Sequence, residues 1–299
     1  MDIHHISALF VSAGNGGVSH RAKSGIGMPW TSEHTKWLID TGERLKTVDG
    51  KDVEVWEFRH QKKTDVLSAW AKHFRNHYCF DSEIDYWRKG YKFPRGEYLN
   101  IIKFPDPKAA PGPSIRAGDF GEVLVADFLE YLLDYWVPRT RYGDKTIRNE
   151  STKGSDIIGF KIVAEGKTSL HDKLAIFEAK AQFSGKKSKA RLQDAVDGSV
   201  KDIARKAESL NAIKQRLHGR NEFDDAEKIE RFQNEVDHPY KEVYGAVALL
   251  ENSLFDGSLV SSTNASSHPH SGDLALVVIK GEQMMALVHE LYRRAADEA

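Results

Sequence analysis

Cysteine is almost missing from this chain. The single Cys79 excludes a disulfide framework and a cysteine-based zinc ribbon. Long uncharged apolar runs are also missing, and mean hydropathy is -0.52, so no helical membrane span is expected. The opening Met1-Asp2-Ile3-His4-His5 has no basic stretch followed by an apolar one. No secretory leader is therefore expected, and cytoplasmic residence is the default. Neither charge sign dominates: the net charge of -1 argues against a uniformly basic nucleic-acid binder. Gly14-Asn15-Gly16-Gly17 lacks the lysine and spacing of a phosphate-binding P-loop and reads as a plain loop. No internal repeat, helix-turn-helix pattern or zinc finger is present.

Proline is scarce and unevenly placed. Four of the nine prolines fall in Phe104–Ser114, which marks a linker between an N-terminal region, 1–104, and a main domain, 115–299. The first region is mixed α+β. Val53–Phe58 alternates as a strand after the turn Asp49-Gly50. Thr64-Asp65 caps a helix to about Tyr78, with Val66, Leu67, Trp70 and Phe74 on one face. In the main domain a helix near Asp119 runs to about Tyr135. Strands follow at Trp136–Thr140, Asp156–Val163 and Leu174–Ala181, the last two joined by a polar loop from Ala164 to Asp172. A basic helix covers roughly Lys186–Leu217 with a break at Gly198, and a polar helix covers Asp224–Asn234. Apolar strands at Val243–Leu250 and Leu274–Ile279 are separated by Ser261–Gly272, a segment composed like a flexible tip. Met284–Arg294 closes the chain as a helix. This order predicts an α/β fold, a mixed central sheet flanked by helices.

Charge is abundant at one informative place. Glu178-Ala179-Lys180 ends the apolar strand Leu174-Ala175-Ile176-Phe177, where burying a charge costs several kcal/mol unless a partner or a metal offsets it. Residues two apart share a strand face, so Glu178 and Lys180 look into one site. Asp49/Lys51, Asp106/Lys108 and Glu165/Lys167 repeat the acid-x-Lys spacing, but in turns or linkers. An antiparallel hairpin centred near Thr168 pairs 158 with 178 and puts Asp156 on the face of Glu178 and Lys180. On a helical wheel Asp119, Asp127, Glu130 and Asp134 form a polar stripe, whereas Glu122 lies with Ala126, Leu129 and Leu133 toward the core. It then needs a metal or a basic partner. Oxygen-only ligands favour Mg²⁺ or Mn²⁺. Asp156, Glu178 and Glu122 are the candidate ligands, and Lys180 the group that orients water or stabilises charge on the phosphate.

Simpler roles stand beside these. Glu178 and Lys180 suit an internal ion pair, Asp156 a turn, and Glu122 the first turn of a helix. From Lys180 to Arg220 seven lysines and four arginines face four acids, which suits a phosphate backbone or a solvated helix face. Lys186, Lys187, Lys189 and Arg191, with Gln182 and Gln193, are the candidate phosphate contacts. Tyr78, Phe80, Tyr86, Trp87, Tyr91 and Phe93, interleaved with Arg88, Lys89, Lys92 and Arg95, suit base stacking, or a core and partner interface. His4, His5, His268 and His270 read as surface histidines.

Gly121-Glu122, Gly154-Ser155-Asp156 and Glu178-Ala179-Lys180, on helix, strand and strand, resemble the core of the PD-(D/E)xK nuclease superfamily, with Ser155 in place of its proline. Over the second half to two-thirds, GDFGE, GSDIIGF and FEAKAQF resemble the HamA family, nuclease subunits of Hachiman anti-phage defence systems. The resemblance implies a restriction-endonuclease-like core and a Mg²⁺-dependent, DNA-degrading effector held by a helicase partner, HamB. Spacing and composition leave two other roles open: a stand-alone restriction-type or junction-resolving nuclease, and an inactive subunit that binds DNA or a partner.

Overall fold

The computed structural model describes residues 29–164 and 166–299. The loop expected at 14–17, His4, His5 and Glu165 lie outside the described residues. Six strands form one mixed sheet in the order β1-β2-β6-β5-β4-β3: β1 (Leu38–Lys46), β2 (Asp52–Phe58), β3 (Ile157–Lys161), β4 (Lys173–Gln182), β5 (Lys241–Glu251) and β6 (Ala275–Gly281). The central four, β2, β6, β5 and β4, are parallel, and the two edges pair antiparallel. Parallel strands covered on both faces need apolar residues at every position. The sequences of β5 and β6 meet that need, with unbroken burial from Val243 to Leu250 and from Ala275 to Ile279.

Five long helices cover the faces: α1 (Thr64–Tyr78), α2 (Gly112–Asp127), α3 (Arg191–Gly219), α4 (Phe223–Gln233) and α5 (Met284–Asp297). On one face α1, α2 and α5 pack Trp70, Phe74, Phe120, Leu124 and Leu291 against Ala175, Phe177, Val247 and Val277. On the other, α3 and α4 pack Leu192, Val196, Leu210, Ile229 and Phe232 against Leu174, Ile176, Tyr244 and Val278. The α/β class with a mixed, helix-flanked sheet is that of a restriction-endonuclease-like core.

Several local expectations are corrected. The division placed at Phe104–Ser114 meets a sheet that runs across it, because β1 and β2 join through β6 and α1 packs on α5. Strand β1 has no apolar alternation in sequence because it is an edge, exposed along most of its length. Trp136–Thr140 forms only an isolated bridge from Trp136 to Phe160. Helix α2 starts earlier than Asp119 and passes into a π turn at Phe128–Leu132. Helix α3 starts at Arg191 and runs unbroken through Gly198. Lys63, rather than Thr64, occupies the α1 N-cap, with no side-chain cap.

The 261–272 segment is packed rather than loose. Thr263, Ala265 and His268 are buried, and the Ala265 amide donates to Asp49 Oδ1 at 3.2 Å. His268 is therefore a core residue. The His270 amide donates to its Nδ1 at 3.1 Å, which leaves the proton of the neutral ring on Nε2, 3.3 Å from Ser199 Oγ.

Candidate active site

Strand β4 carries Glu178 and Lys180 past the start of its neighbour β3. Its even residues face α3, and α3 has been shaped to receive them. A Cβ on Gly198 would lie 2.5 Å from Glu178 Oε1, so any larger residue at that turn would force the Glu178 side chain to shift. Glycine lowers helix propensity there, but continuous packing against the sheet keeps the helix intact.

Asp156 stands one residue before β3. The observed register pairs 157 with 177 and 158 with 176, two residues from the expected pairing of 158 with 178. Asp172 sets it: its carboxylate accepts the amides of Val163 (2.8 Å) and Ser169 (3.2 Å) and binds Arg231, closing the loop early. A shift of two preserves the face, so Asp156 still meets the Glu-x-Lys pair. Asp156 Oδ2 accepts the Ala179 amide at 3.4 Å and lies 3.8 Å from Lys180 Nζ. Lys180 Nζ also contacts Glu178 Oε1 directly. Gly154, at φ +96°, makes the turn into Asp156, and the Ser155 amide donates to Ser209 Oγ on α3 at 3.1 Å.

Glu122 arrives from α2, on the opposite face of the sheet. Its partner is basic: Arg141 Nε donates to Glu122 Oε2 at 2.7 Å, and the Tyr142 hydroxyl donates to the same oxygen. The rest of the Arg141 fork spans to Asp156 Oδ1 at 2.7 Å and to the carbonyl oxygens of Ser155 and Thr152. The four expected residues thus form one connected chain, Glu122–Arg141–Asp156–Lys180–Glu178. A cavity of about 300 Å³ opens beside it, lined by Glu122, Arg141, Tyr142, Asp156, Ser209 and Arg216.

Burial, then the neighbouring Asp156, pushes Glu178 up to about 9. Burial pushes Glu122 up to about 8, against the pull of Arg141. Burial works against Lys180 too, but Asp156 and Glu178 outweigh it and raise the amine. A further acid, unnoticed in the sequence, joins from α3. Asp202 is only 1% exposed, and burial followed by Asp156 pushes it up to about 6. Crowded carboxylates held above their ordinary range are what a bound cation would relieve, and oxygen donors suit a hard divalent ion. Asp156 and Glu178 fit that role. Glu122 fits it less directly, because Arg141 stands between it and Asp156. Accordingly the three acids do not converge as a ligand set within 4.8 Å.

Among the described residues, the trio that does converge within 4.8 Å is His73, His77 and Asp127. It already holds a cation. Arg139 Nη1 lies 3.0 Å from His77 Nε2, and Nη2 lies 2.6 Å from Asp127 Oδ1. The Thr31 amide donates to His73 Nδ1 at 3.1 Å, so the neutral ring keeps its proton on Nε2, facing Asp127 and not free for a metal. His34 completes the group, 2.8 Å from Asp127 Oδ2. Asp127 and Asp119, expected on a solvated stripe, are both buried. The first is neutralised by Arg139 and contacted by His34 and His73, and the second binds Lys145 at 2.9 Å and Tyr78 at 2.7 Å.

The expected phosphate contacts divide. Gln182 and Gln193 are used internally. Gln182 clamps the 187–189 loop through the Lys187 carbonyl (2.9 Å) and the Lys189 amide (3.0 Å). Gln193 holds Asn264 and Asp197. Lys186, Lys187 and Lys189 are exposed, and Arg191 pairs with Asp194 at 2.8 Å. In the aromatic group Tyr78 is core, whereas Tyr86, Trp87 and Tyr91 are exposed. Arg88 and Arg95 both pair with Asp85.

The sequence profile of the HamA family matches residues 33–295. No curated protein matches the chain. No helix among the described residues is long and apolar enough to cross a membrane.

Proposed function

The chain belongs to the HamA family, and we propose that it is a metal-dependent deoxyribonuclease, the effector of an anti-phage defence complex whose helicase partner governs access to DNA. The observation that carries this is the convergence of Asp156, Glu178 and Lys180 where β4 runs past β3, with two acids pushed up by burial and crowding.

Asp156 and Glu178 would hold the divalent ion. When bound, the ion polarises the scissile phosphate and lowers the pKa of a coordinated water. The chain's own residues do the rest. Lys180, raised by its acidic neighbours, stays cationic and places its ammonium where charge develops on the phosphate oxygens. Arg141 fixes the Asp156 carboxylate and the turn before it through three hydrogen bonds, so the acid does not reorganise as substrate arrives. Glu122 positions Arg141 rather than touching substrate. The exposed Lys186, Lys187 and Lys189, beyond the end of β4, supply sequence-independent attraction for the backbone.

The test is plasmid cleavage by the complete complex in Mg²⁺ and in EDTA, with Glu178→Ala and Lys180→Ala. Cleavage should vanish in EDTA and fall by about 10²- to 10³-fold in each variant. Undiminished cutting in EDTA, or in both variants, would refute the assignment. DNA binding without cutting under every condition would make the chain an inactive scaffold.

A further inference from the structure

We propose that the cleft running from the Asp156 centre past Arg216 to Trp87 binds a single strand of DNA, with Arg216 on a backbone phosphate and Trp87 stacked on an unpaired base. This rests on the nuclease reading of the site and narrows its substrate to unpaired DNA. A strand cut at Asp156 must continue beyond the scissile phosphate, and the structure holds a path for it. The cavity of about 300 Å³ beside Asp156 meets a second one of about 610 Å³, and Ala212 and Arg216 on α3 line both. Phe80, Trp87, Lys103 and Arg220 line the second. The first cavity lies at the small end of the range for ligand pockets, about 300–1,000 Å³, which suits a nucleotide and not a duplex.

A single strand needs cations for its phosphates and ring faces for its bases, and the cleft carries both. Arg216 and Arg220 stand one helical turn apart. They and Lys103 are half-buried, whereas the acids of the second cavity, Glu83 and Asp144, are exposed. Among the described residues, Asp144 is the acid that Arg216 meets, at 3.3 Å. Burial lowers the pKa of Arg216, Asp144 opposes this, and Arg141 and Arg220 lower it further as like charges. A phosphate beside Arg216 would relieve that crowding. Arg220 is already fixed, 4.8 Å over the centroid of the Phe80 ring and 3.0 Å from the Arg139 carbonyl oxygen that accepts from it. Lys103 donates to the Gly143 carbonyl at 3.0 Å, and an ammonium has two further protons to give. Trp87 ends this path 51% exposed, unusual for an indole. Its Nε1 donates to Glu83 Oε2 at 3.4 Å, which ties down the ring edge.

Fluorescence anisotropy of a labelled oligothymidylate with the full chain in EDTA tests this, beside a hairpin duplex of the same length. Binding is read without cleavage, so a failure of the metal centre would not move it. The single strand should bind more tightly than the duplex. Trp87→Ala should weaken that binding by about 5- to 150-fold, and Trp87→Phe, which keeps a stacking ring, should retain most of it. Arg216→Gln should reduce the slope of log affinity against log salt by about 0.7, the share of one phosphate on a single strand, and Arg216→Lys should restore it. The two conservative variants separate these roles from a defect in folding. A duplex bound as tightly as the strand, an unchanged affinity in Trp87→Ala, or an unchanged salt slope in Arg216→Gln would overturn the inference and leave the metal centre standing.

Discussion

At the scale of single residues, the site is organised by a side chain that sequence gave no reason to single out. Arg141 joins Glu122 to Asp156 and carries the turn between them. It lies among Arg139, Lys145, Arg148 and Lys153 in one loop, and only the fold distinguishes it. Glu178 and Lys180 were legible because charges ending an apolar strand are rare. Asp202 was not, because Asp194, Asp197 and Glu208 share its helix, and its burial depends on a strand 24 residues earlier in the chain. Arg141→Ala should leave Glu122 with the Tyr142 hydroxyl alone and Asp156 with Lys180 and the Ala179 amide, and destabilise the fold by about 3–5 kcal/mol. Urea unfolding checks it, and a loss under ~1 kcal/mol would mark the pair as solvated.

At the scale of elements, α3 meets β4 through an absence. Gly198→Ala should gain about 0.8–1.0 kcal/mol of helix propensity. Its new methyl would press on Glu178 Oε1, and overpacking of that kind costs about 1–3 kcal/mol. The expected outcome is a net loss of stability with a large loss of cleavage, read by thermal melting beside a nuclease assay. A stabilised and active variant would show that Glu178 moves aside freely. The break expected at Gly198 failed because glycine was read by propensity alone, without the Glu178 side chain packed against it.

The 261–272 segment teaches the same lesson. Its composition is that of a loop, yet His268 is core. Burial, then neighbouring His270, holds this ring down to about 4 from an ordinary 6.5. The unfolded chain takes up a proton as pH falls through 6.5, and the folded chain does so only near 4. The stabilisation from this residue is therefore complete above 6.5 and is lost as pH falls toward 4. Melting temperatures across this window should decline, and His268→Gln should flatten the decline. An unchanged slope in the variant would assign the acid sensitivity elsewhere, with His73, also held at about 4 by burial, the next group to examine.

At the scale of the whole molecule, the N-terminal strands complete the sheet. Central strands were legible as apolar runs, and the β3–β4 hairpin from its loop. The joining of β1–β2 to β6 was not, because it pairs residues more than 200 positions apart and no local pattern encodes that. Deleting residues 1–104 would bare the β6 edge and the faces of Phe120 and Tyr292 that α1 covers. The remaining 105–299 fragment should lack a cooperative melt by circular dichroism. A sharp transition would show that the main domain folds alone.

The central claim is that the cation belongs between Asp156 and Glu178, rather than in the histidine cluster that Arg139 already fills. Anomalous diffraction from crystals soaked in Mn²⁺ tests it most directly. The account predicts a peak within coordination distance of both carboxylates. A peak at His73, His77 and Asp127 instead, or no ordered Mn²⁺ at the Asp156–Glu178 centre, would contradict it.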